Sequence, residues 1–156
     1  MFPKLTLSQI TRSGCIAALY ALLAYFTPWF SFGIVQFRLS EALVLLPLHW
    51  PEAIPALAIG CFLANLSSPF GIIDIIFGTL CTWCAAWLTY KFRQRYYLAI
   101  LAPIIVNAIG VSAYLAYLSK ELYFAVLPGI ALSEAAVVFA LAIPIERLVQ
   151  RTMKQG

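Results

Sequence analysis

The chain is predicted to be an all-α integral membrane protein, a compact six-helix transmembrane bundle with both termini cytoplasmic. Three observations carry this expectation. Hydrophobic residues fill 63 % of the 156 positions and charged residues only 10 %, whereas soluble domains are nearer a quarter charged. Mean hydropathy is +0.94, and several runs approach the ~20 apolar residues that cross about 30 Å of hydrocarbon. Those runs are continuous and do not alternate with period two, which selects helices over a β-barrel.

Apolar runs between polar or Pro/Gly punctuation give helices over approximately 13–32, 39–48, 52–66, 72–90, 98–118 and 127–149. The first follows Lys4 and Arg12 and is long enough to span and stay, so no cleaved signal is expected. The second and third are short and are divided by His49-Trp50-Pro51-Glu52; merging them would leave five crossings. The basic residues decide between the two counts. Six crossings with the N-terminus inside place Lys4, Arg12, Lys91, Arg93, Arg95, Arg147, Arg151 and Lys154 on cytoplasmic ends and only Arg38 and Lys120 outside. Five crossings would leave three inside and seven outside. Cytoplasmic loops are the Lys/Arg-rich ones, so six is the expectation.

Several function classes fall away. One bundle over residues 1–156 leaves no room for an ATPase domain, so energy must come from a gradient or from partner chains. The net charge of +4 sits at helix ends, which reads as topology and not as a nucleic-acid face. Cys15, Cys61, Cys81 and Cys84 all lie in apolar runs, and the Cys81/Cys84 pair has no second pair and only His49 elsewhere. They are expected to be small packing residues, with no metal or cofactor bound. No nucleophile–base pair stands near the acids, so an enzyme is not expected. A secondary carrier would show internal repeats and midplane polar groups, and neither is visible.

Topology also sorts the polar residues by depth. Arg38 and Glu41 follow the first outer loop; Asn65, Ser67, Ser68 and Asp74 flank the second. Glu134 lies about 8 Å into the last helix at ~1.5 Å per residue, and Asn107 is near mid-depth on the fifth. The inner half holds few polar groups besides Thr82 and Ser112, which can bond their own helices. A polar pocket open outward over an apolar floor is the expectation. Charged residues beside hydrocarbon mark ligand sites by default. Arg38 and Glu41, three apart, share a face if Leu39 starts a helix, and can pair; alternatively Ser40 caps that helix and Glu41 favours its positive end. Glu134 has no basic neighbour within a turn or two, so it needs a donor-rich partner: a solute, Arg38 or Asn107. Asn65 and Asp74 serve either as helix-end caps or as ligands. Trp29, Phe30, Phe32, Phe37, Phe70, Tyr114, Tyr117, Tyr123 and Phe124 crowd the outer level as an interfacial belt, from which one or two can stack on a flat ligand. On the first helix, Gly14/Ala18 and Ala17/Ala21 are small pairs at a spacing that lets another helix approach.

At these residues the chain resembles the queuosine-precursor S components of energy-coupling-factor transporters. The likeness rests on Val35-Gln36-Phe37-Arg38-Leu39-Ser40-Glu41-Ala42-Leu43 and on the run from Gly60 through Asn65, Pro69 and Asp74 to Thr79, with Val106-Asn107 and Ser133-Glu134-Ala135 following in order. Ser133 stands where the family has glycine. The resemblance implies six helices and capture of a 7-deazaguanine (queuine or its aminomethyl or cyano precursor) from outside. It implies no hydrolysis by the chain itself, docking of the first helix, best at Ala17 and Ala21, onto a membrane T subunit carrying two ATPases, and toppling of the S component in the membrane lipid. The implied solute contacts are Arg38, Glu41, Asn65, Asp74, Asn107 and Glu134. One carboxylate can accept the imino N–H and exocyclic amine of a guanine-like edge together; which acid does so stays open.

Overall fold

The computed structural model describes residues 6–27 and 37–155. Helix α1 spans Leu7–Phe26, α2 Ala53–Asn65, α3 Gly71–Lys91, α4 Tyr96–Ser119 and α5 Tyr123–Gln155. Between α1 and α2 runs an apolar segment, Leu39–Leu48. All regular structure among the described residues is helical, and α1, α3, α4 and α5 are each long and apolar enough to cross a membrane. Their outward faces carry Trp83, Trp87, Ile105, Ile109, Leu132 and Phe139, all exposed. Large apolar side chains turned outward along entire helices belong against lipid.

Helix α1 begins six residues before the expected start. Thr6 forms a reciprocal capping box with Gln9: Gln9 N donates to Thr6 Oγ1 (3.3 Å) and Thr6 N to Gln9 Oε1 (2.9 Å). Two otherwise orphaned donors are satisfied that way, so the helix extends through a polar first turn that hydropathy discounts. It ends at Phe26, with Thr27 as the C-cap out of helical backbone (φ −126°, ψ 46°), short of the expected end at Phe32; Trp29, Phe30 and Phe32 themselves lie outside the described residues. The last helix is also longer than expected at both ends: it starts at Tyr123, and beyond residue 149 its polar end (Gln150, Arg151, Lys154) continues as an amphipathic helix to Gln155. Inside it, a π turn over Val138–Ala142 directly precedes Pro144. Proline lacks the N–H that would bond residue 140 and crowds that carbonyl, so the local winding loosens. A second π turn, Asp74–Gly78, interrupts α3.

Residues 39–48 keep their expected bounds but not their expected winding. They form two 3₁₀ turns, Leu39–Leu43 and Leu46–Leu48. From Ser40 to Pro47 every residue is buried. Ten residues at ~2 Å rise cover about 20 Å, short of the hydrocarbon thickness. The segment packs against α1, α2, α3 and α5, and so lies within the bundle. Helices α1 through α5 pack in chain order, α1 on α2, α2 on α3, α3 on α4 and α4 on α5. The α1–α2 contact is tight: a Cβ added to Gly60 would lie 2.7 Å from Tyr20 Cβ and 2.8 Å from the Ala17 carbonyl oxygen.

Polar groups collect at opposite poles. At one pole Arg12 pairs with Glu52 (2.6 Å) and lies over the Trp50 ring (4.5 Å). There, too, Glu146 takes His49 Nε2 at 2.7 Å and the Tyr96 hydroxyl at 3.0 Å. This unites the start of α1, the 49–52 corner, the start of α4 and the second half of α5. Arg38, Asn65, Ser68, Asp74 and Tyr114 gather at the other pole.

Candidate functional site

Asp74 organises the second pole from the π turn of α3. Its Oδ1 accepts from Arg38 Nη2 (3.2 Å) and from the Tyr114 hydroxyl (2.6 Å), and its Oδ2 accepts from Ser68 Oγ (2.5 Å). Asn65 Nδ2 donates to the Asp74 carbonyl at 2.9 Å. That proximity depends on Gly78, where a Cβ would sit 2.6 Å from Asn65 Nδ2 and 2.9 Å from Asp74 Oδ1. Asp74 is fully buried, and a buried carboxylate needs this full complement of donors. Arg38 supplies the matching charge.

A deeper tier joins α1, the 3₁₀ segment, α4 and α5. The Tyr20 hydroxyl donates to Glu41 Oε1, and Asn107 Nδ2 donates to Glu134 Oε1 at 3.0 Å. Asn107 also lies near Glu41, and the charges of Glu41 and Arg38 both act on Glu134. Arg38, Glu41, Asn107 and Glu134 are all at least nine-tenths buried. Several polar atoms here have no hydrogen-bond partner among the described residues: Glu41 Oε2, Ser40 Oγ and Arg38 Nε. Buried polar atoms are nearly always satisfied, so three unpartnered atoms in one short stretch set this tier apart from the fully bonded Asp74 cluster.

Five of the six residues singled out from the sequence are thus held in two linked clusters through direct hydrogen bonds or ion pairs with Asn65, Asp74, Arg38, Asn107 or Glu134, and Glu41 joins them through Tyr20 and Asn107. The expected Arg38–Glu41 pairing is not formed. Arg38 has extended backbone (φ −76°, ψ 97°) and precedes the helical turns, so the three-residue spacing does not put the two on one face. Its guanidinium reaches Asp74 instead. Ser40 is not the cap either, because the turn opens at Leu39 with Arg38 in the cap position and no side-chain cap bond. Thr82 does not bond its own helix: its Oγ1 donates across to Cys61 Sγ on α2 (3.2 Å), while Ser112 Oγ has no described partner. Tyr20 went unnoticed in the sequence, although Ile16, Tyr20 and Ala24 repeat at four-residue spacing on the buried face of α1. Tyr114, expected in the interfacial belt, is buried on Asp74, whereas Tyr117 and Phe124 do face outward, 79 % and 84 % exposed.

Two further features are apolar. A cavity of about 360 Å³ between α3 and α4 is lined by residues including Phe77, Cys81, Cys84, Ile105 and Gly110; it offers nothing to orient a heterocycle. Cys84 is exposed and Cys61 buried, and no group of three His, Cys, Asp or Glu among the described residues is arranged to hold a metal. On α1, Ala17 is buried against α2 and Ala21 is half-buried, while Gly14 and Ala18 are exposed. The outward small-residue pair is therefore Gly14/Ala18.

The model of the QueT transporter family matches residues 10–151, a stretch that contains both clusters. The chain belongs to the QueT transporter family. This family is one of transporters, and a membrane setting agrees with the four long apolar helices of this QueT-family chain. Neither a curated protein nor a solved structure matches it.

Proposed function

We infer that this chain is the solute-binding membrane subunit of an energy-coupling-factor importer, and that its solute is a 7-deazaguanine serving as a queuosine precursor. The observation that carries this reading is the buried group of Glu41, Asn107 and Glu134 beside Arg38, with acceptor capacity left over at Glu41 Oε2. A transporter that must strip water from a small heterocycle needs such preplaced partners, because each protein–solute hydrogen bond replaces one to water. Asn65 and Asp74 act from behind, fixing Arg38. The chain passes between the two faces of the plasma membrane of a prokaryotic cell six times, one passage being the short buried segment Leu39–Leu48 inside the bundle, with both termini inside, and takes its solute from the outer face. It hydrolyses nothing. A transmembrane T subunit with two ATPases supplies the energy, docking on the outward face of α1.

Mass spectrometry of small molecules that co-purify with the protein tests this directly, followed by calorimetry with the identified base. A deazaguanine should be recovered. Glu134→Gln should weaken its binding by ~1.5–3 kcal/mol, the worth of one hydrogen bond to a charged group. Recovery of an unrelated heterocycle would keep the subunit role and reject the solute. Uptake by the chain alone, without ATPase partners, would reject the subunit role.

A further inference from the structure

None of the six residues proposed to hold the solute lines the seam between α3 and α4, yet that seam is hollow along most of its length. Beside the cavity of about 360 Å³ lies a second of about 230 Å³, lined by residues including Leu88, Phe92, Leu98 and Ala102. The two share Ile105 and Val106, and so form one apolar groove. Cys84, Ala102 and Gly110 keep it open, being small where Phe77, Leu88 and Phe92 are large. From Phe77 to Phe92 the groove runs about 22 Å at ~1.5 Å per residue. That exceeds the depth of one leaflet's hydrocarbon, half of about 30 Å.

One end of the groove is charged, and with a single sign. Helix α3 ends at Lys91, and the turn into α4 carries Arg93 and Arg95, all exposed. Cys84, Leu88 and Lys91 recur at four- and three-residue spacing, so Lys91 stands on the helix face that lines the groove. Arg95 caps α4, three residues before the lining Leu98. Aromatic rings hold two of the heads: Lys91 Nζ lies 4.7 Å from the centre of the Trp87 ring, and the Arg93 guanidinium 4.2 Å from that of Tyr90. No acidic residue occurs from Ile75 to Lys120, and none of the three cations forms an ion pair among the described residues. Arg12, at the same pole, is by contrast paired with Glu52. Membrane topology accounts for basic helix ends. It does not account for a hollow apolar seam running up to them.

An apolar channel below three unpaired cations complements a molecule with a hydrocarbon chain and an anionic head. We propose that the α3–α4 groove is a binding site for an anionic phospholipid of the leaflet at the Arg12 pole, with an acyl chain along Cys84, Leu88 and Ile105 and the phosphate on Lys91, Arg93 and Arg95. Lysine and arginine both donate to phosphate oxygens, arginine with a planar fork. Basic pockets between membrane helices take anionic headgroups for this reason. A zwitterionic phospholipid has the same chains and phosphate but adds an ammonium group, which the three cations repel. The site stands whichever solute the chain carries.

Native mass spectrometry tests the proposal on the delipidated full-length protein in detergent, offered equal amounts of phosphatidylglycerol and phosphatidylcholine with identical acyl chains. The wild type should retain one phosphatidylglycerol, preferred ~5-fold or more, the scale of one basic residue acting on an anionic lipid. The triple variant Lys91→Gln, Arg93→Gln, Arg95→Gln should reduce the preference to below about 2-fold. Cys84→Phe leaves every charge in place and fills the groove, and should cut retention of phosphatidylglycerol ~5-fold or more. Equal retention of the two lipids by the wild type, or a preference that survives the triple substitution, would overturn the site. Undiminished retention by Cys84→Phe would overturn it too, by reducing it to a charged surface. Retention of neither lipid by a protein that runs as a dimer would give the groove to a second copy and overturn the lipid. The wild-type comparison needs no variant, so it decides the matter even where a substitution prevents folding.

Discussion

Asp74 and Glu41 are both completely buried acids, yet they stand in opposite situations. Asp74 has donors on both oxygens and a guanidinium beside it; Glu41 has one phenol and an empty second oxygen. The first is a fully partnered structural post; the second keeps one oxygen unpartnered among the described residues, as the proposed solute contact requires. Removing a partner from a buried ion pair strands the other charge, at a cost of about 3–5 kcal/mol. Asp74→Asn should therefore lower the unfolding temperature of the detergent-solubilised protein, and Tyr114→Phe should do so more mildly, by ~1 kcal/mol. An Asp74→Asn protein that melts like the wild type but loses solute binding would make Asp74 a solute contact instead. Sequence alone picked out Arg38, Glu41, Asn107 and Glu134 because ionisable and amide groups in apolar runs are conspicuous. It mispaired Arg38, since partner choice depended on a backbone angle at the cap, and it passed over Tyr20, whose hydroxyl sits among Ile16, Ala17 and Ala24 on the buried face of α1.

The elements divide labour in a way that a hydropathy profile only half reveals. Helix α1 turns Tyr20 inward onto Glu41 and Gly14 with Ala18 outward. A bulky residue on the outward face should obstruct a partner helix without reaching the solute. On the proposed importer reading, Ala18→Trp is expected to abolish ATP-driven uptake in cells that also express the proposed T and ATPase subunits, while solute binding by the isolated protein persists. Ala17→Trp should behave differently, because the Ala17 backbone already abuts Gly60. It should destabilise the protein, as overpacking of a close helix contact typically costs 1–3 kcal/mol, roughly. Wild-type uptake by the Ala18 variant would remove this face of α1 from docking. Helices α2, α3 and α4 were legible within a residue or two from apolar runs bounded by Gly, Pro and charge. The 3₁₀ winding of Leu39–Leu48 was not, because continuous apolar character fits a buried segment of any winding. What distinguishes it is burial on all sides, and that is set by the neighbouring helices.

On the scale of the whole molecule, two polar poles are separated by three apolar clusters, the first including Leu57 and Ala86, the second Val44 and Val138, the third Val111 and Val126. One pole carries the basic helix ends around Arg12, Lys91 and Arg147, together with polar contacts that tie α1 to the 49–52 corner through Arg12 and Glu52, and that corner and α4 to α5 through Glu146. The other carries Arg38 and Asp74, beneath which lie Glu41 and Glu134. Cytoplasmic ends of membrane helices are enriched in Lys and Arg, so the pole of Arg12 should face inward and the solute cluster should open outward. Two exposed positions report on this: Arg93 between α3 and α4, and Lys120 between α4 and α5. In a background with the four native cysteines replaced, Lys120→Cys should react with a membrane-impermeant maleimide added to intact cells, and Arg93→Cys only after permeabilisation. The reverse pattern would turn the molecule over in the membrane and place the acids on the inner side. Capture from outside would then be untenable, whatever the affinity of the site.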